Sequence, residues 1–86
     1  MTYEIRWSKP ALKRYSRIDA RAQARVLEAV NSLATNPRPM ASKKLEPKSA
    51  GVYAMRVGIH YRVTYMIDDP ARLVTITDAS TREGAY

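Results

Sequence analysis

The chain has 86 residues, with 15 Lys and Arg against eight Asp and Glu, one His and no Cys, for a net charge of +7. That length supports one domain, 1–86, with a modest core, and an apolar content of 45% excludes a disordered tail. Without cysteine there are no disulfides and no thiolate metal sites, which fits a reducing cytoplasm. The short apolar runs exclude a transmembrane helix, and "MTYEIRWSKP" lacks the apolar segment of a signal peptide.

So large a positive excess repels itself unless an anionic partner meets it. Nucleic acid is the first candidate and an acidic protein the second. A membrane surface ranks below both, because no basic amphipathic helix with large aromatics is present.

"TYEIRW" alternates and is rich in β-formers, so Thr2 to Trp7 reads as a strand. Ser8 then suits an N-cap and Pro10 the first turn of a short helix, with Leu12 and Tyr15 on one face. Asp19 can cap a second helix, from Ala20 to about Ala34, in which Val26, Val30 and Leu33 recur at helical spacing. Pro37 and Pro39 end it. "MASKKLEPKSAG" reads as a basic loop, with Lys43, Lys44 and Lys48 around a core-seeking Leu45. Three strand-like runs follow, "VYAMRV", "YRVTYMI" and "RLVTITDA", with the turn "DDPAR" between the last two. The expected fold is α+β, strand–helix–helix–strand–strand–strand, a mainly antiparallel sheet packed against the N-terminal helix pair.

"RVGIHYRVTY" carries the most specific signal. Register decides which faces meet across this hairpin. A two-residue loop, Ile59–His60, would oppose Val57 to Arg62 and mix the faces. A three-residue loop, Gly58–Ile59–His60, opposes Val57 to Tyr61 and Arg56 to Arg62, which gathers Tyr53, Met55, Val57, Tyr61, Val63 and Tyr65 on one side. The second register is expected, and it leaves two guanidinium groups side by side on the other face. Such a pair is either two solvated arginines or a bidentate anion clamp. His60 reads as a solvated turn residue, Trp7 as core or sheet edge, and the carboxylates show no convergent spacing for a metal.

"KKLEPKSAGVYAMRVGIHYRVTYMIDD", followed by a strand and "TREGAY", resembles the RelE/ParE superfamily of toxins from bacterial type II toxin–antitoxin systems. The resemblance spans nearly the whole chain. For RelE-like members it implies a metal-free, cofactor-free endoribonuclease that cuts messenger RNA on the ribosome, the ribose 2′-hydroxyl attacking the adjacent phosphate. For ParE-like members it implies inhibition of DNA gyrase, and for a non-toxic member antitoxin binding alone. A cognate antitoxin is implied in every case. Carried over by motif, Arg62 holds the scissile phosphate, Arg56 stabilises it, Arg82 adds charge from the tail, and Tyr86 stacks on the nucleotide or activates it. Lys43, Lys44 and Lys48 are expected to contact RNA backbone. Three departures stand out: Ala54 occupies a strand position where some RelE-like nucleases carry a lysine, Ser80 and Thr81 stand where many relatives carry His and Arg before the final Arg, and Arg82 and Tyr86 are separated by one residue more than the commonest spacing.

Overall fold

The structure, a computed structural model, describes residues 2–40, 42–45 and 51–81. The chain forms β1 (Glu4–Trp7), α1 (Lys9–Tyr15), α2 (Ala20–Ser32), β2 (Ser42–Lys44), β3 (Val52–Val57), β4 (Tyr61–Asp68) and β5 (Leu73–Thr81). One five-stranded sheet has the order β1-β5-β4-β3-β2, antiparallel except where β1 runs parallel to β5. This is the expected α+β architecture with one strand more. Ser42–Lys44, read from sequence as loop, pairs with β3, and Leu45 is 38% exposed rather than buried in the core. Nothing in "SKK" favours a strand; β3 imposes it by offering an unpaired edge.

Both helices begin as their caps dictate. The Ala11 amide donates to Ser8 Oγ at 3.2 Å. The Arg21 and Ala22 amides donate to Asp19 Oδ1 at 3.0 and 3.1 Å, which holds the Asp19 carboxyl below its usual range. Val26, Val30 and Leu33 of the α2 stretch and Ala11 of α1 then pack on Met55, Val57, Val63, Tyr65, Ile67, Val74, Ile76 and Ala79. Tyr65 is fully buried, and its hydroxyl donates to the Pro37 carbonyl at 2.9 Å. Trp7 packs against this core with its ring centroid 5.0 Å from that of Tyr15.

The strand residues of the core all lie on one face of the sheet. Holding that alternation along β5 takes an extra residue. Tyr65 pairs with Ile76 and Thr64 with Asp78, so Thr77 is the inserted residue of a bulge. Thr77 Oγ1 donates to the Thr64 carbonyl at 3.1 Å. The bulge lets Val74, Ile76 and Ala79 all face the core, and it turns Asp78 and Ser80 to the opposite face.

Gly51 marks a close approach. Its φ is +69°, and a Cβ there would lie 2.6 Å from the Ile67 carbonyl oxygen, a backbone atom of the neighbouring strand. Both the conformation and the contact exclude a side chain. Gly51→Ala should lower the unfolding free energy by more than about 1 kcal/mol, read from urea denaturation midpoints.

Candidate nucleic-acid interface

β3 and β4 pair with Arg56 opposite Arg62 and Val57 opposite Tyr61, the register that the apolar residues demand. Like charges across a strand pair cost about 0.2–1 kcal/mol, whereas burying one large apolar side chain gains about 1.5–3 kcal/mol. Slipping the pairing by one residue would turn the apolar set of one strand, Met55 and Val57 or else Val63, Tyr65 and Ile67, away from the helices, so burial wins. The loop is Gly58–Ile59–His60, with Gly58 at φ +64° and His60 exposed.

The two guanidinium groups therefore project from the face that the helices leave uncovered. Arg56 is exposed and Arg62 partly buried. Among the described residues neither forms an ion pair; the three pairs present use Arg6, Arg14 and Arg38. Lys43 pairs with Ala54, two residues from Arg56, and so joins the same face as a diagonal neighbour. Lys44 pairs with Tyr53 and projects to the opposite side. Thr64 and Ala54 lie next to the arginine row, and Ser80 completes it by pairing with Arg62. Arg82, Tyr86 and Lys48 lie outside the described residues. Of the residues singled out from sequence, the structure thus gathers Arg56, Arg62 and Lys43, and it separates Lys44 from them.

Such a face can hold a phosphate. Each guanidinium offers parallel N–H donors to two oxygens, and two of them a strand apart can grip opposite sides of one anion. Among the described residues no group of three or more His, Cys, Asp or Glu could hold a metal, and no helix is long and apolar enough to cross a membrane.

On the other side of the molecule lies a polar clasp that sequence reasoning missed. Arg38 donates to both carboxylate oxygens of Asp69, from Nη1 at 3.2 Å and Nη2 at 2.7 Å, and from Nε to the Tyr53 hydroxyl at 3.0 Å. The Tyr3 hydroxyl donates to Asp69 Oδ1 at 2.6 Å. Three segments distant in sequence are thereby tied at one carboxylate: the start of the chain, the linker after α2 and the β4–β5 turn. The Arg38 guanidinium, then the Tyr3 hydroxyl, depress the Asp69 pKa to about 2, while the Asp69 carboxylate raises that of Tyr3. "DDP" signalled a turn, but nothing local named Arg38 as its partner.

Solved structures of toxins and toxin–antitoxin complexes share this fold. The toxin–antitoxin complex RelBE2 from Mycobacterium tuberculosis matches with a TM-score of 0.83 and 29% identity, covering 95% of this chain and 100% of that one. The archaeal RelE–RelB complex from Pyrococcus horikoshii matches with a TM-score of 0.82 and 26% identity, covering 95% and 97%. The isolated RelE toxin of E. coli shares the fold at 18% identity, with a TM-score of 0.78 over 92% and 83%. No curated protein sequence matches the chain. Residues 5–83 match the family model for the ParE toxin of the type II toxin–antitoxin system parDE. The chain belongs to this family, within the RelE/ParE superfamily of type II toxins.

The Asp69 clasp sets a pH dependence. The carboxyl has a folded pKa near 2 and an unfolded value of about 3.9. Its contribution is complete above the unfolded value and is lost as pH falls towards the folded one. Melting temperatures of the native chain and Asp69→Asn should converge as pH falls from about 4 to about 2, and they should stay apart at neutral pH.

Proposed function

We propose that this toxin is an endoribonuclease that cleaves messenger RNA on the ribosome, with Arg56 and Arg62 gripping the scissile phosphate. One observation carries the reading: two guanidinium groups directly opposed on an uncovered sheet face, with no carboxylate paired to either among the described residues. The ribose 2′-oxygen attacks the adjacent phosphorus and the bond to the 5′-oxygen breaks. The products are a 2′,3′-cyclic phosphate and a free 5′-hydroxyl. The nucleophile belongs to the substrate, so the protein needs no Ser or Cys. Its arginines stabilise charge on the non-bridging oxygens and hold ribose and phosphate in line.

Proton transfer falls to groups beyond the pair. β5 pairs Ser80 with Arg62 and Thr81 with Tyr61, so the chain enters its tail one residue past the arginine row. Arg82 and Tyr86 follow. Tyr86 serves either to stack on a base or, with arginine neighbours depressing its pKa, as the base. The ribosome supplies what the isolated chain lacks. Lys43 contacts the RNA backbone beside the clamp, and Lys44 and Lys48 extend the contact elsewhere.

A cognate antitoxin silences the toxin, as the family membership and the complexes of RelE with RelB support. An acidic segment that folds on binding complements the basic face. All of this takes place in the cytoplasm.

A second reading is inhibition of DNA gyrase without nuclease activity. The match to the ParE model favours it, as does Ala54 where some RelE-like nucleases carry a strand lysine. Inducible expression in bacteria with primer extension on a reporter message separates the two. Native protein should cut inside translated codons, and Arg62→Ala should reduce cutting by at least about a hundredfold while remaining folded. Growth arrest with intact messages and loss of supercoiling would favour gyrase.

A further inference from the structure

The face that carries the arginine pair also carries a carboxylate. Asp78 pairs with Thr64, two residues from Arg62, and so is the diagonal cross-strand neighbour of that arginine. Diagonal neighbours are separated by about 7–8 Å between backbones, within reach of a long side chain. The other described carboxylates of this face are remote. Asp68 lies six residues along β4 from Arg62, about 20 Å at the rise of a strand, and accepts from the Ala71 amide. Glu4 pairs with Arg6 at 2.6 Å. Left to itself, Asp78 would be the natural partner of Arg62, and the clamp would be filled by its own chain.

Arg14 engages that carboxylate instead. It reaches from α1 to both oxygens of Asp78, Nη1 lying 3.4 Å from each, and the Ser80 hydroxyl donates to Asp78 Oδ2, also at 3.4 Å. The Thr77 bulge creates the need, because it turns Asp78 from the core side to the arginine side. We propose that Arg14 is a positioning residue that sequesters Asp78, leaving Arg62 open to a phosphate. The proposal rests on the phosphate-clamp reading for its purpose and on the Arg14–Asp78–Arg62 arrangement for its geometry. Charge alone would make Arg14→Gln and Asp78→Asn opposite in effect. Sequestration makes a sharper claim: the first change matters only while the carboxylate is present.

Two measurements test it. The first is anisotropy of a labelled RNA oligonucleotide, 2′-O-methylated throughout so that it cannot be cut, at low salt. Arg14→Gln should weaken binding about three- to fivefold, the range of an exposed ion pair. Arg14→Gln/Asp78→Asn should bind as tightly as Asp78→Asn alone, whereas charge alone would leave it weaker, and Arg14→Lys should bind nearly as well as native. If the double variant binds more weakly than Asp78→Asn, Arg14 acts on RNA through its own charge and the proposal is wrong. It is equally wrong if Arg14→Gln binds normally. The second measurement needs no RNA: the Arg62 Nε–H resonance in nitrogen-edited NMR. It should move in Arg14→Gln and return in the double variant. A resonance indifferent to Arg14→Gln overturns the sequestration even if Arg62→Ala abolishes RNA binding. A resonance that responds as expected, with RNA binding untouched by Arg62→Ala, supports the sequestration and discards the phosphate clamp instead.

Discussion

The register of the β3–β4 hairpin is the constraint on which the rest of the molecule depends. Five large apolar side chains can reach the helices only if Gly58, Ile59 and His60 form the loop, and that choice places Arg56 against Arg62. The charge pair is therefore a consequence of packing, tolerated because its repulsion is small beside the burial it accompanies. A function that needs two fixed cations close together obtains them at little cost in stability. The helices pack on the other side, where the core and the Asp69 clasp also lie, and they reach the arginine face only through the Arg14 contact with Asp78.

The bulge at Thr77 is the second organising device. Without an extra residue, β5 could not present Val74, Ile76 and Ala79 to one core. With it, Ser80 enters the arginine row and Asp78 sits beside it. The same irregularity thus completes the face and introduces the carboxylate that Arg14 engages. Packing, strand phase and surface electrostatics are linked through one inserted residue.

Much of this was legible in the sequence. Ser8 and Asp19 announced their helices by residue type, and alternation in "RVGIHYRVTY" yielded the hairpin register and the facing arginines. What was not legible depended on distant partners. Ser42–Lys44 becomes a strand only because β3 has an edge to fill, and this also splits Lys43 from Lys44. Leu45, apolar and expected in the core, lies exposed beside that edge. Arg38 and Asp69 stand 31 residues apart with no local pattern to join them. The Thr77 bulge did leave a trace, since the apolar phase in "LVTITDAS" shifts between Ile76 and Ala79. Arg82 and Tyr86 were assigned by motif resemblance, and Lys48 by the charge of its loop.

The central proposal is that Arg56 and Arg62 grip an anion together. Its most direct test is the salt dependence of binding to a uniformly 2′-O-methylated RNA oligonucleotide, comparing the native chain with Arg56→Ala/Arg62→Ala. Each phosphate contact on a single strand contributes about 0.7 to the slope of log affinity against log salt. If the pair grips one or two phosphates, the double variant loses about 0.7–1.4 of that slope together with most of its affinity at low salt. An unchanged slope and affinity in a folded double variant would contradict it, leaving the pair as two solvated arginines that packing happened to bring together.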